Sequence, residues 1–130
     1  MSGPPPDVID WTEAMQQTGD DEEFLRELLA DLRQETDTQV SNIEQIIQNP
    51  TDAPFQRIQR AAHVIKGASA NLMCAQLRYA SMALEQTAQA AHNENNGSPS
   101  AETTQKVQQC YLDLKRAQEN YHGFLNGLGV

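Results

Sequence analysis

Four stretches of this chain place apolar residues three and four positions apart, and that spacing is the strongest constraint on its fold. The repeat follows the turn of an α-helix, so each stretch presents one apolar face to a core. No segment of alternating apolar and polar residues is long enough to suggest a sheet. The sequence therefore predicts an all-α chain, and the clearest helical set is Phe55, Ile58, Ala62, Ile65, Ser69 and Leu72.

Turn and capping residues predict where the helices begin and end. We expect a short first helix around Trp11, and four longer helices at about 20–48, from Pro54 onward, at about 74–91 and from Pro99 to about 126. The predicted caps are Asp20 with Glu23, then Thr51 or Asp52, then Ser98. Short connections favour an antiparallel up-and-down four-helix bundle with a short additional N-terminal helix.

The predicted organisation is a flexible N-terminus over 1–7, a single bundle domain over 8–127 and a short tail over 128–130. Inward-facing positions are expected to include Ile47, Cys110 and Phe124. Cys74 and Cys110 are too few for a disulfide framework or a zinc site, so we expect free buried thiols.

Net charge limits the classes of partner. The chain has 9 Lys and Arg against 18 Asp and Glu, a formal charge of -9, which argues against nucleic acid and against an anionic membrane surface. No apolar run is long enough to span a bilayer, and Met1–Pro6 lacks the features of a signal peptide. We therefore expect a cytoplasmic protein, small enough to diffuse into a nucleus if the source is eukaryotic.

His63 is the candidate reactive residue. It lies roughly 130° from the centre of the apolar face of its helix, with Lys66 and Gly67 beside it along the exposed surface. A glycine inside a helix costs roughly 1 kcal/mol relative to alanine. We therefore expect Gly67 to provide a gap through which another protein approaches His63.

The charge around His63 differs from that of the whole chain. No acidic residue occurs between Asp52 and Glu85, while the same window contains Arg57, Arg60, Lys66 and Arg78. A cationic surface around one imidazole suits a transferred phosphoryl group, or the acidic pocket of a protein that donates one.

The segment His63-Val64-Ile65-Lys66-Gly67-Ala68-Ser69-Ala70-Asn71-Leu72 resembles the phosphorylation motif of histidine-containing phosphotransfer (HPt) domains. Ile9-Asp10-Trp11, Ala14-Met15 and 19–25 resemble the first helices of that family, and Leu77 and Leu84-Glu85 stand where it usually has Leu and Leu-Glu. The resemblance covers about residues 8–90 by pattern and the last helix by architecture. The family commonly has Gly ten residues after the His, where this chain has Met73. We therefore expect a different turn, with Asn71 in the left-handed conformation.

The resemblance implies a relay role without turnover of its own. His63 would accept and donate the phosphoryl group, Lys66 would steady it and Gly67 would admit the partner. The partners would be receiver domains of a hybrid histidine kinase and of a response regulator, which supply the Mg²⁺; this chain, expected to be a monomer, would hold no cofactor or metal. Supporting or docking roles are expected for Gln59, Arg60, Ser69, Ala70, Arg57 and Arg78, with packing as the first role of Ser69.

Other classes of function are weaker. The main alternative is a helical-bundle interaction module without phosphotransfer. A di-iron bundle needs two Glu-x-x-His pairs, and only Glu119 to His122 fits. A hydrolase would need a nucleophile and an orienting acid that the spacing does not supply, and no Gly-rich nucleotide loop suggests a kinase. The sequence names neither the upstream kinase nor the downstream regulator, nor the direction of phosphoryl flow.

Overall fold

A computed structural model describes residues 8–130, which form five α-helices, a short 3-10 helix at Glu94–Gly97 and, within that range, no strand. They are α1 (Trp11–Gln17), α2 (Glu22–Gln48), α3 (Pro54–Asn71), α4 (Ala75–Asn93) and α5 (Ala101–Leu128). From α2 to α5 each helix packs on the next, and α5 closes the ring against α2. The predicted all-α bundle with a short N-terminal helix is confirmed. The flexible segment predicted for 1–7 lies outside the described residues.

The core is mainly aliphatic, and one face of α3 enters it. Ile58, Ala62 and Ile65 are almost completely buried. Burying an isoleucine side chain stabilises the fold by roughly 1.5–3 kcal/mol, so these positions fix the rotation of α3 about its axis. The opposite face of α3, which carries His63, is consequently turned to solvent.

The beginning of α2 differs from the prediction by one to two residues. Its cap is Asp21, whose Oδ1 accepts a hydrogen bond from the backbone N–H of Phe24 at 3.0 Å; the predicted cap, Asp20, is wrong. Gly19 and Asp20 both have positive φ, because the chain uses these two residues to turn out of α1. The helix can therefore begin only after them.

The predicted caps of α3 are also wrong. Pro54 occupies the first helical position as expected, but the cap is Ala53 in the left-handed conformation, with no side-chain hydrogen bond. Thr51 instead accepts a hydrogen bond on its Oγ1 from Arg57 Nη1 at 2.8 Å.

Helix α5 begins at Ala101, two residues later than predicted. The predicted cap, Ser98, is wrong: Ser100 caps the helix by accepting a hydrogen bond from the backbone N–H of Thr103 at 3.2 Å. The preceding turn consumes more of the chain than expected because Asn95 and Asn96 both have positive φ. The helix runs past its predicted end at 126 and stops at Gly129, where φ is 78°.

Five of the residues expected on apolar faces are only partly buried, namely Ile47, Phe55, Leu72, Cys110 and Phe124. Ile46 is buried in place of Ile47, while Tyr111 and Leu125 are buried next to the expected Cys110 and Phe124. The predicted apolar faces were rotated by one position at these points. The Phe124 ring instead contacts Trp11 edge-on, with centroids 6.3 Å apart, and this contact holds α1 against the end of α5.

The turn between α3 and α4 contains a strained residue. Met73 has a φ of 60°, so it adopts the left-handed conformation that suits the glycine common at this position in HPt domains. The prediction that Asn71 takes this role is wrong, since Asn71 is the last residue of α3. A non-glycine residue there costs roughly 1–2 kcal/mol; the partly buried Met73 side chain packs on the core and offsets part of that cost. Its carbonyl accepts a hydrogen bond from the backbone N–H of Asp10 at 2.9 Å, which ties the chain entering α1 to this turn.

Both cysteines are free, as predicted. Cys74 is buried, and burial raises the pKa of its thiol to about 12, whereas Cys110 is partly exposed. None of the helices in residues 8–130 has the length and apolar character needed to cross a membrane.

Candidate functional site

His63 projects from the exposed face of α3 and contacts α4. Its side chain is 64% exposed, and its Nδ1 lies 2.6 Å from Oε2 of Glu85. The ring is therefore accessible to another molecule while one of its two nitrogens is held in place by the protein.

Lys66 completes a three-residue cluster by binding the same carboxylate. Its Nζ lies 2.7 Å from Oε1 of Glu85. One carboxylate oxygen of Glu85 therefore contacts Lys66, and the other contacts His63. The Glu85 side chain is 13% exposed. Burial alone would raise the pKa of the Glu85 carboxyl, but the hydrogen bonds from Lys66 and His63 outweigh burial and hold that pKa below its usual value of 4.5.

An ionised Glu85 determines which nitrogen of His63 carries the proton. A carboxylate only accepts hydrogen bonds, so the Nδ1 of His63 is assigned as the donor. In the neutral ring the lone pair is then on Nε2. The arrangement presents a nucleophilic nitrogen on the exposed side of the imidazole.

The expected cationic surface around His63 is only partly correct. Glu85 places a negative charge beside His63 and Lys66, although it ends the acid-free window in the sequence. Glu85 was not among the predicted site residues. Its position could have been found from the α3–α4 hairpin, because residues at similar distances on either side of the Met73 turn lie opposite each other: His63 precedes it by ten positions and Glu85 follows it by twelve.

Gly67 is exposed within α3. A Cβ built on it meets nothing within 4 Å, so the packing of the bundle does not require glycine there. The position is one turn from His63. The missing side chain leaves the helix backbone uncovered beside the candidate nucleophile.

The remaining predicted site residues divide by distance from His63. Gln59 and Arg60 lie one turn before it, while Arg57 and Ala70 lie about two turns away in opposite directions. Arg78 lies on α4, two turns before Glu85, with its guanidinium 5.4 Å from the ring centroid of Tyr79.

Ser69 is buried and does not reach the exposed cluster. Its hydroxyl donates to the carbonyl of Ile65 at 2.6 Å. The hydroxyl is therefore engaged with the backbone of its own helix, which fits a packing role.

A second histidine forms a similar pair on another face. His122 on α5 has its Nε2 2.7 Å from Oδ1 of Asp37 on α2, and its side chain is 39% exposed. No lysine or arginine is paired with Asp37 within residues 8–130. In the same range no group of three or more His, Cys, Asp or Glu residues is placed to hold a metal ion.

Comparisons with known proteins agree with this fold. The family model described as the Hpt domain matches residues 27–118. A solved rice protein assigned as a histidine-containing phosphotransfer protein has 17% sequence identity and a TM-score of 0.55, over 95% of this chain and 85% of that chain. At that identity the likeness concerns the fold alone. No curated protein matches the chain.

Proposed function

The chain belongs to the Hpt domain family, whose role is histidine phosphotransfer in phosphorelays, and from that premise we propose that His63 is its phosphoryl acceptor. The donor is the phosphorylated aspartate of one receiver domain, and the group then passes to the aspartate of another. The receivers belong to a hybrid histidine kinase and to a response regulator and bring the Mg²⁺. The protein is a relay without turnover of its own.

One observation carries this proposal: the carboxylate of Glu85 engages Nδ1 of an otherwise exposed His63. In the transfer step the Nε2 lone pair attacks phosphorus, the bond between phosphorus and the aspartyl oxygen breaks, and the aspartate leaves as a carboxylate. The proton on Nδ1 stays in place. Because the ring gains positive character when Nε2 becomes bonded to phosphorus, the negative charge of Glu85 stabilises the product.

Lys66 and Gly67 serve the incoming group and the incoming protein. The Lys66 ammonium, held at Glu85, lies one turn from His63, where it can interact with the phosphoryl oxygens. Phosphoryl transfer depends mainly on alignment and charge stabilisation. Gly67 leaves room for the partner to bring its aspartyl phosphate into line with Nε2.

The test is to incubate the protein with receiver domains carrying radiolabelled aspartyl phosphate. We expect a label on this chain that is labile to acid and stable to base, as a phosphoramidate bond is. His63→Gln is expected to abolish the label without unfolding the bundle, since the side chain is exposed.

His122→Gln provides a matched control. It removes another partly exposed histidine that is paired with a carboxylate and should leave labelling unchanged. A label that persists in His63→Gln would refute the site assignment, and its loss in His122→Gln would place the acceptor at His122 instead. A folded protein that binds receivers and takes up no label from any of them would instead be the interaction module considered above.

A further inference from the structure

An apolar pocket lies at the end of the bundle opposite to α1. It is bounded by the C-terminal end of α2, the N-terminal end of α3 and the first turns of α5, and its volume is about 210 Å³. Three of the side chains that line it, those of Ile46, Ile58 and Val107, are almost completely buried. The pocket therefore reaches into the core between three helices.

This pocket explains why two residues expected in the core are only partly buried. Ile47 and Phe55 both line it, so each presents apolar surface to a space that the bundle leaves unfilled. Side chains beside an unfilled space lose the attractive contacts that packing would give them. A molecule that occupies the pocket gains those contacts and removes its own apolar surface from water.

The volume of the pocket limits the size of its occupant. An apolar cavity of about 150 Å³ holds benzene, whereas the pockets of drug-sized ligands begin at about 300 Å³. At about 210 Å³, this pocket fits a single benzene-sized ring with one small substituent. A nucleotide or a folded peptide segment is too large for it.

The polarity of the lining limits the charge of the occupant. None of the described residues that line the pocket is acidic, basic or a histidine, so a charged ligand would lose its hydration without gaining a partner. Thr104 and Gln108 supply polar groups one turn apart on α5. The Thr104 hydroxyl donates to the Ser100 carbonyl at 3.1 Å, so its oxygen is left to accept, and the Gln108 amide also has an acceptor. A neutral ring with one hydrogen-bond donor fits this lining.

We propose that the α2–α3–α5 pocket is a binding site for a small neutral ring compound that carries one hydroxyl or N–H donor. The ring packs on Ile47 and Phe55, and its donor group faces Thr104 or Gln108. The inference does not depend on the proposed function, because no residue of the phosphoryl cluster lines the pocket. Along α3, Phe55 lies about 12 Å before His63.

The probe for the experiment is phenol, added to the full chain while backbone amide signals are followed by NMR. A ligand of so few atoms has a dissociation constant on the order of 0.5 mM. At about 5 mM phenol we expect shifts confined to the residues that line the pocket. The midpoint of thermal unfolding should rise by about 5 °C.

Two charged ring compounds test the neutral character of the site. Benzoate and benzylamine carry opposite charges at neutral pH, so the acidic character of the whole chain cannot weaken the binding of both. Each should bind about tenfold or more weakly than phenol, since the pocket offers no charged partner. Binding of both as tight as that of phenol would contradict the proposed ligand class.

Thr104→Phe tests the location, because the larger side chain fills the pocket from α5. It should abolish the amide shifts and the rise in the unfolding midpoint. The matched control is Thr103→Phe, the same exchange at the neighbouring partly buried residue, which does not line the pocket; it should bind phenol like the unmodified chain. If Thr104→Phe does not fold, Ile47→Trp replaces it. Shifts that avoid the lining residues, or phenol binding that is undiminished in the folded filling variant, would overturn the proposal.

Discussion

Replacing Gly67 by alanine should stabilise the protein, because the glycine lies inside α3 and an added Cβ meets no neighbour within 4 Å. Alanine is favoured over glycine in a helix interior by about 0.8–1.0 kcal/mol. At about 2.1 cal/mol/K per residue, the unfolding entropy of 130 residues is about 0.27 kcal/mol/K. The midpoint of thermal unfolding, followed by circular dichroism, should therefore rise by about 3–4 °C.

The same position should respond in the opposite way when phosphotransfer is measured. Gly67→Gln also favours the helix, but its longer side chain fills the gap beside His63. Overlap with a docked surface costs roughly 1–3 kcal/mol, so transfer from a phosphorylated receiver should slow by about 5-fold to 150-fold. Labelling by phosphoramidate should be unaffected, because that donor needs no protein surface.

Gly123 gives a matched control, since it is also exposed in a helix and its added Cβ also meets nothing within 4 Å. Gly123→Ala should produce a similar rise in the unfolding midpoint, and Gly123→Gln should leave transfer unchanged. A fall in the midpoint for Gly67→Ala would contradict the free space described at α3. Undiminished transfer by folded Gly67→Gln would refute the role of the gap.

Three further perturbations test the cluster and the core. Glu85→Gln should slow receiver-dependent transfer by about tenfold or more, because the neutral amide stabilises the charge on the His63 ring less well. The stability advantage of the unmodified protein over Glu85→Gln should be complete above the unfolded pKa of 4.5 and should disappear as the pH falls through the lower folded value, as measured by urea unfolding. Lys66→Ala should slow transfer by about tenfold with little change in the unfolding midpoint. Tyr121→Phe should lower the free energy of unfolding by about 1–2 kcal/mol without affecting transfer, since the buried hydroxyl donates to the Leu29 carbonyl at 2.6 Å.

Each of these three predictions would be contradicted by a specific measurement. An unchanged transfer rate in Glu85→Gln would remove the carboxylate from the mechanism, and a stability difference that grows on acidification would contradict its lowered pKa. Equal rates for Lys66→Ala and the unmodified protein would leave that lysine with a structural role alone. An unfolding free energy unaltered in Tyr121→Phe would show that the hydroxyl contributes nothing to the bundle.

The sequence predicted the architecture because its information is local and periodic. The spacing of Ile58, Ala62 and Ile65 determines which side of α3 is buried, and that side in turn places His63 in solvent. The resemblance supplied the family, which the match over residues 27–118 supports. The periodic pattern did not determine the rotation of each helix about its axis to within one residue. For example, Ile46 is buried in the core, whereas Ile47 was expected there.

The errors concern backbone conformation and contacts between helices. Asp20 and Ala53 take positive φ, and neither residue type requires that conformation, so the start of α2 was misplaced and the cap of α3 was wrongly assigned. Met73 adopts the left-handed conformation for which glycine is usual, because the α3–α4 turn is made at this residue. Asn71, which was expected to take that conformation, remains helical. Glu85 was missed for a different reason: its proximity to His63 depends on how two helices face each other.

The three residues of the proposed phosphoryl cluster, His63, Lys66 and Glu85, come from the α3–α4 hairpin, whereas α2 contributes none of them. Substitutions can therefore accumulate on α2 while the α3–α4 hairpin stays unchanged. After gene duplication, a copy that changes its exposed α2 residues keeps the hairpin and, with it, the residues of the proposed phosphotransfer chemistry. Relay proteins with different surfaces can then arise through substitutions that leave the histidine and its carboxylate unchanged.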